Sequence, residues 1–494
     1  MTEETPNKKD NDQPEPKPTE ETSSVTNHAI EINGKEIKYT VTTGTIVLKE
    51  EDVDEGEKQK ASIFYIAYTK DEGDALRPVT FSFNGGPGSS SVWLHLGLLG
   101  PKRVLMDDEG YPPGPPFQLV ENEYTLLDQT DLVFIDPVST GYSRTVPKEK
   151  PEQFHNIKKD IESVGDFIRI WTTRNKRWIS PKFLIGESYG TTRAAGLAGY
   201  LHHRHGMYLN GIMFVSSILN FMTAQFDEGN DLPYILFLPS YTASAWYHQK
   251  LPKDLQEDLQ TAVQEAREFA LGDYSTALMK GNNLAEDERL RIISQLARLT
   301  SLSTTYIEGT NLRINIHRFC KELLRDQGYT IGRFDSRYKG FDKDNVGETH
   351  EIDPSYAVIL GSYTSTMYDY LRRDLAYETD LPYEILKSLD KSWKFEEYQN
   401  SYVNTAKDLR HGFQLHPDLK VLVCNGIYDL ATPFLATEYT FNHIPLPRQQ
   451  QKNIEMTYYP AGHMMYLHNP SLRKLSEDLH AFLKRAQKTI ETVI

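Results

Sequence analysis

The sequence predicts an α/β protein built on a doubly wound, mostly parallel sheet that is interrupted by a mainly helical insertion. Three observations carry this reading. Strand-like runs recur at residues 36–43, 61–69, 79–84, 132–136, 182–186, 211–217, 420–426 and 455–460. Several are continuously apolar, as expected of strands buried on both faces of a parallel sheet. Between two of them, Phe154, Ile157, Ile161, Val164, Phe167, Ile168 and Trp171 follow helical spacing, and strands alternating with amphipathic helices make a doubly wound sheet. From about residue 220 to 400 the strand pattern gives way to helical stripes, and the sheet resumes at Lys420.

In chain order, residues 1 to about 24 are charged, Pro-rich and almost free of large apolar side chains. Such a segment cannot bury enough surface to offset the entropy of ordering, so a disordered tail is expected, taken to residue 28. Residues 29–217 and 405–494 are read as two halves of one sheet domain, and 218–404 as a cap inserted between them. Within the cap, Leu255, Leu259, Ala262, Ala266 and Phe269 form one helical stripe, and Leu290, Ile293, Leu296 and Leu299 another.

Composition narrows the partners. The 494 residues carry a formal net charge of -15, with 39% hydrophobic and 25% charged side chains. That balance suits a soluble globular protein and argues against nucleic acid or an anionic membrane as a main partner. No apolar stretch reaches the 18 residues a membrane helix needs. The two cysteines, Cys320 and Cys424, are too few for a disulfide framework, and Cys424 is expected as a buried free thiol. There is no apolar segment near Met1, and the one near-match to a glycosylation acceptor, at Asn469, is blocked by Pro470. These features give the expectation of a cytoplasmic protein. Nothing in the sequence speaks to its oligomeric state.

The chemistry is signalled at residues 183–190, an apolar strand running into Gly186-Glu187-Ser188-Tyr189-Gly190, with a helix-compatible segment, 191–201, directly after. Gly-x-Ser-x-Gly alone is a weak pattern. Between a strand and a helix it is the nucleophile elbow of the α/β-hydrolase fold, a strained turn that exposes the serine at a helix N-terminus. Serine needs a base, and in this fold the acid and the histidine follow it in that order, each in a loop after a strand. Asp429 follows the run ending at Gly426, and His463 follows residues 456–460 in a Gly-His step. His468 is the competing base but lies one segment further and lacks the flanking glycine. His202, His203 and His205 have no carboxylate or cysteine at ligand spacing, so no metal site is expected.

A second signal, Asn84-Gly85-Gly86-Pro87-Gly88-Ser89-Ser90-Ser91, directly follows a strand. Its glycines free the backbone to aim N–H groups into a site. One such donor together with the N–H of Tyr189 would form an oxyanion hole. No Gly-Lys-Ser/Thr follows, so a phosphate-binding loop does not fit.

Together these residues resemble the serine carboxypeptidase family, over 84–91, 132–143, 186–190 and the segments around Asp429 and His463. The resemblance implies an α/β-hydrolase sheet with a cap over the pocket and a triad of Ser188, Asp429 and His463. It implies an oxyanion hole from the N–H groups of Gly86 and Tyr189, and Asn84, Gly85 and Glu187 as the group that holds the free C-terminal carboxylate of a peptide. Three departures stand out. Leu98 occupies the position, two before Gly100, where the family has a second glutamate; Ser89 replaces a cysteine; and residues 216–220 read Ser-Ser-Ile-Leu-Asn where the family has Gly-Asn. The expected activity is a cofactor-independent serine-type carboxypeptidase acting on peptides with a free C-terminus. The alternatives are an esterase or acyltransferase on the same triad, and a non-catalytic binding protein on the same scaffold.

Overall fold

A computed structural model of the chain describes residues 17–54 and 56–491. Nine strands make the body of one sheet: β1 (Ser23–Ile32), β2 (Lys35–Asp52), β3 (Gly56–Lys70), β4 (Val79–Phe83), β5 (Asp131–Ile135), β6 (Lys182–Ser188), β7 (Gly211–Ser217), β8 (Lys420–Gly426) and β9 (Ile454–Tyr459). Their spatial order is β1-β2-β3-β5-β4-β6-β7-β8-β9, and a two-residue strand, Arg144–Thr145, pairs with β3. From β5 to β9 every pairing is parallel, while β1, β2 and β3 form an antiparallel extension on one edge.

Alternate residues of the central strands feed two cores, one on each face of the sheet. Phe183, Ile185 and Met213 point into one with Leu475, Leu479 and Phe482 of the C-terminal helix. Leu184 and Ile212 point into the other with Val164, Phe167, Trp171 and Leu197. This two-sided burial is why these strands read as unbroken apolar runs. The helix α1 (Ile157–Arg174) starts where the Asn156 side chain accepts from Lys159 N at 2.9 Å, and α2 (Tyr189–His205) leaves β6 at Ser188.

The inserted stretch behaves as two pieces. Residues 237–331 build their own apolar core from helices that include α3 (Leu232–Tyr247), α4 (Leu259–Phe269) and α5 (Glu286–Thr300). The later helix α6 (Pro354–Arg373) instead sends Ile359, Tyr363, Met367 and Tyr370 into a core shared with the sheet. The segment after it runs back along the sheet's loops through bridges at Ser89–Leu386, Gly141–Glu384, Asn156–Lys394 and Asn220–Asn404.

Three sequence expectations need correction. The tail expected to residue 28 ends earlier: Ser23 already pairs with Gly44 in the β1–β2 ladder. Glu21 also pairs with Arg174 at 2.7 Å and accepts from Val47 N at 2.9 Å. Residues 1–16 lie outside the described residues. The first cap stripe is two helices, because Asp258 breaks the run and caps α4 by accepting from Thr261 N at 2.7 Å. Leu290 is 56% exposed and falls off the second stripe, whereas Ile293, Leu296 and Leu299 are buried. Both cysteines are free and buried, and burial pushes the Cys424 thiol up to about 12.

Candidate active site

Ser188 stands between β6 and α2 with φ 59° and ψ -130°. A β-carbon disfavours that conformation by about 1–3 kcal/mol, so the surroundings must impose it. They do so through close backbone packing: a β-carbon on Gly186 would lie 2.3 Å from Gly190 O, and one on Gly190 2.8 Å from Phe83 O. The two elbow glycines let the turn fold against itself and against β4. Ser188 is left half-buried while Glu187 and Tyr189 on either side are buried.

Asp429 and His463 sit in the loops after β8 and β9, both buried. His463 Nδ1 lies 2.8 Å from Asp429 Oδ2. The carboxylate is also held by Ala431 N at 2.7 Å, Thr432 N at 2.9 Å and the Thr432 hydroxyl at 2.7 Å. Burial raises the Asp429 carboxyl, but the charge and hydrogen bonds of His463 and Thr432 outweigh it and the net direction is down. For His463, burial pulls the imidazole down and Asp429 more than offsets this, so the net direction is up. With Asp429 as acceptor, Nδ1 carries the proton and Nε2 is the free base. His463 Nε2 is buried without a hydrogen-bond partner. It lines the same cavity of about 470 Å³ as Ser188. No hydrogen bond joins Ser188 Oγ to Nε2 in this structure; such contacts often tighten only when substrate arrives.

The loop after β4 packs on the elbow from the other side. A β-carbon on Gly85 would lie 2.4 Å from Tyr189 N, so only glycine lets the two backbones meet. The N–H of Tyr189, first in α2, has no intrahelical acceptor. Gly86, at φ 104°, lines the cavity beside it. The loop is anchored through Asn84, whose carbonyl accepts from Arg193 Nη1 at 2.7 Å. Buried Arg193 makes a two-pronged pair with Asp160 at 2.8 and 3.0 Å, and the Tyr189 hydroxyl donates to the same carboxylate at 3.1 Å.

Glu187 is buried at the cavity, and the Tyr466 hydroxyl donates to its Oε2 at 2.7 Å. Burial raises the carboxyl to about 7, against the opposing pull of His463 and the Tyr466 hydrogen bond. The Asn84 Nδ2 is buried beside Glu187 with no hydrogen bond of normal geometry. Leu98 is buried in the apolar core. Next to it, a β-carbon on Gly97 would meet the Tyr466 ring at 2.4 Å and the Tyr363 hydroxyl at 2.7 Å. Two tyrosines therefore crowd the neighbourhood of Glu187 where the resemblance would place a second carboxylate.

All eight residues singled out in the sequence, Ser188, Asp429, His463, Gly86, Tyr189, Asn84, Gly85 and Glu187, lie at or directly against this one cavity. The rival base His468 bonds Ser471 Oγ at 2.7 Å and is not part of the cavity wall. His205 bonds Asp166 Oδ1 at 3.1 Å on the far end of α2. Among the described residues no cluster of His, Cys, Asp or Glu could hold a metal, and no helix is long and apolar enough to cross a membrane.

Sequence reasoning did not find Thr432, Tyr466, the Asp160–Arg193 pair, or the cap residues Arg333 and Phe334 that reach the cavity. Only Tyr466 carried a signal, its place three residues after the candidate base. The segment at 333–336 is close to the loops that carry Asp429 and His463: Phe334 O accepts from His463 N at 2.6 Å, Arg333 O from Leu430 N at 3.1 Å, and Asp335 Oδ2 from Gly462 N at 3.0 Å.

Comparison with known proteins gives the same picture. The profile of the serine carboxypeptidase family matches residues 52–469. The pheromone-processing carboxypeptidase KEX1 of Saccharomyces cerevisiae is 32% identical over 155 residues, covering 30% of this chain and 20% of that protein. Serine carboxypeptidase-like 33 of Arabidopsis thaliana is 27% identical over 161 residues, 30% of each. The matched stretch thus spans well under half the length of these relatives. The crystal structure of the yeast prohormone-processing carboxypeptidase superposes with a TM-score of 0.53 at 16% identity, over 90% of this chain and 91% of that one, and shares its fold.

Proposed function

The chain belongs to the serine carboxypeptidase family, and from that premise we propose that it releases C-terminal residues from peptides through an acyl-enzyme on Ser188. The observation that carries this reading is the bonded Asp429–His463 pair sharing one cavity with the elbow serine and a buried Glu187, whose carboxyl is raised to about 7. His463 Nε2 takes the Ser188 hydroxyl proton as Oγ attacks the scissile carbonyl. The developing oxyanion accepts from the N–H groups of Gly86 and Tyr189. His463, its charge offset by Asp429, then gives the proton to the departing amine, and the C–N bond breaks. A water repeats the sequence on the ester, with His463 again as base, and returns the Ser188 hydroxyl.

Selection of a free C-terminus falls to Asn84, Gly85 and Glu187. A protonated Glu187 donates a hydrogen bond to the substrate carboxylate, and Asn84 Nδ2 supplies a second donor. Burial first, with a smaller push from the Asp429 charge, raises Glu187 to about 7 without the glutamate that Leu98 replaces. The rival esterase or acyltransferase reading keeps the chemistry and changes the substrate.

The test compares a free-acid peptide, its C-terminal amide and a small ester, after labelling with a serine-reactive phosphonate. Ser188→Ala abolishes labelling and lowers turnover by about a thousandfold or more. Activity within tenfold of the parent would place the nucleophile elsewhere. A preference for amide or ester from pH 4 to 8 would remove the carboxypeptidase reading and leave the hydrolase.

A further inference from the structure

The charged side chains that line the cavity are satisfied, with one exception. Lys387 stands 3.8 Å from Glu384, Asp390 accepts from Ser388 Oγ at 3.0 Å, and Glu187 is held by Tyr466. Arg333 has no carboxylate within 4.0 Å of its guanidinium among the described residues. It is half-buried in the cavity wall, with the guanidinium carbon 4.4 Å from the Phe334 ring centroid. Phe334 in turn lies 5.3 Å from the His463 imidazole. The cation therefore reaches the catalytic neighbourhood through one aromatic ring, and its positive charge is felt at His463.

We propose that Arg333 is a specificity-determining residue of this site, pairing with a carboxylate of the substrate. The inference rests on the carboxypeptidase reading and names a group that reading did not use. A guanidinium presents a planar fork of N–H donors that matches a carboxylate, and stacking on Phe334 holds that fork in place. A partly desolvated cation without a counter-ion is a standing electrostatic cost that an anionic ligand relieves. The chain meets that cost in a cavity built to admit peptide. Backbone anchoring keeps the position firm: Arg333 N donates to the Asp353 carboxylate at 3.2 Å, and Arg333 O accepts from Leu430 N. The carboxylate comes from one of two sources, the C-terminal carboxylate itself or an acidic side chain on the substrate, and both present the same chemistry to the fork.

The experiment uses the full chain and four peptides, with a neutral or an acidic C-terminal residue, each as free acid and as amide. Two ratios of kcat/KM are measured on each enzyme sample: free acid over amide for the neutral residue, and acidic over neutral residue among the amides. Partial unfolding cancels in a ratio. Arg333→Gln should lower at least one ratio by about tenfold or more, the loss expected for a hydrogen-bonded charge pair. The ratio that falls identifies the source. Arg333→Lys, which keeps the charge without the fork, should fall between wild type and Arg333→Gln, and replaces it if that variant does not fold. If neither ratio moves, the proposal is overturned. A wild-type enzyme that prefers the neutral amide sinks the carboxypeptidase reading instead, while the side-chain ratio still judges Arg333.

Discussion

Replacing Tyr466 by Phe isolates what sets the protonation of Glu187. The hydroxyl donates to Oε2 at 2.7 Å in a buried setting, and the two rings are nearly isosteric, so the change removes one donor and little packing. A hydrogen bond to a charged group contributes about 1.5–3 kcal/mol, and one pKa unit is about 1.4 kcal/mol. The donor favours the ionised carboxylate, so its loss raises the Glu187 pKa from its starting position near 7. The upward shift should be about 1–2 units. Free-acid binding needs the neutral form, which is present below the pKa and lost as pH rises through it. The assay is the free-acid over amide ratio of kcat/KM between pH 5 and 9; titration of His463 affects both substrates and cancels. In the parent the ratio should fall around pH 7, and in Tyr466→Phe the fall should move upward by about 1–2 pH units. A midpoint that stays in place or moves down would refute the assignment of Glu187 as the titrating carboxylate reader.

Two further outcomes are expected. Glu187→Gln fixes a neutral donor at the site, so the free-acid over amide ratio should lose its fall near pH 7; a ratio still titrating there would point to another group. Removing residues 1–24 deletes Glu21, Thr22, Ser23 and Ser24, whose partners include Arg174, Val47 N, Thr45 N and Leu375 O. Tm should drop by about 2–4 °C, and an unchanged Tm would show that these contacts add nothing.

The central strands were legible because they are buried on both faces. Residues 183–186 and 421–424 are continuous apolar runs, which is what placed β6 and β8 in the sheet. The edge strand β1 was not, since only one face packs. Ser23, Thr26 and Asn27 give its start the look of a solvated tail, and pairing with β2 supplies what the side chains lack. Of the site, the elbow and the Asp–His pair were legible because each follows a strand in a fixed order. Tyr466 and Arg333 were not: the role of Tyr466 depends on Glu187, 279 residues away in sequence, and Arg333 lies in a cap segment whose approach to the cavity no local pattern announces. The effect of Leu98 was legible only as a loss. What remains around Glu187, a cage of Tyr466 and Tyr363 in place of a second acid, comes from two different elements and could be read only in three dimensions.

The site divides by what holds it. The proposed nucleophile and oxyanion donors belong to the sheet: Gly85 packs on the Tyr189 amide, and the buried Asp160–Arg193 pair ties α1, α2 and the Asn84 carbonyl together. The acid and base are held by the sheet and the cap together. One short cap segment, 333–336, accepts from His463 N and Leu430 N, donates from Ser336 N to Tyr428 O, and grips Gly462 N through Asp335. That segment also carries Arg333 into the cavity. A triad tolerates little misplacement, since a displacement of about 1 Å can reduce rate about a hundredfold. On the proposed function the insertion is therefore part of the geometry on which catalysis depends, because the same four residues that hold the His463 loop also carry Arg333 into the cavity. A change in cap packing that shifts 333–336 would alter turnover and selectivity together, whereas a change confined to the Asp160–Arg193 anchor would act on the oxyanion loop and leave the Arg333 preference intact.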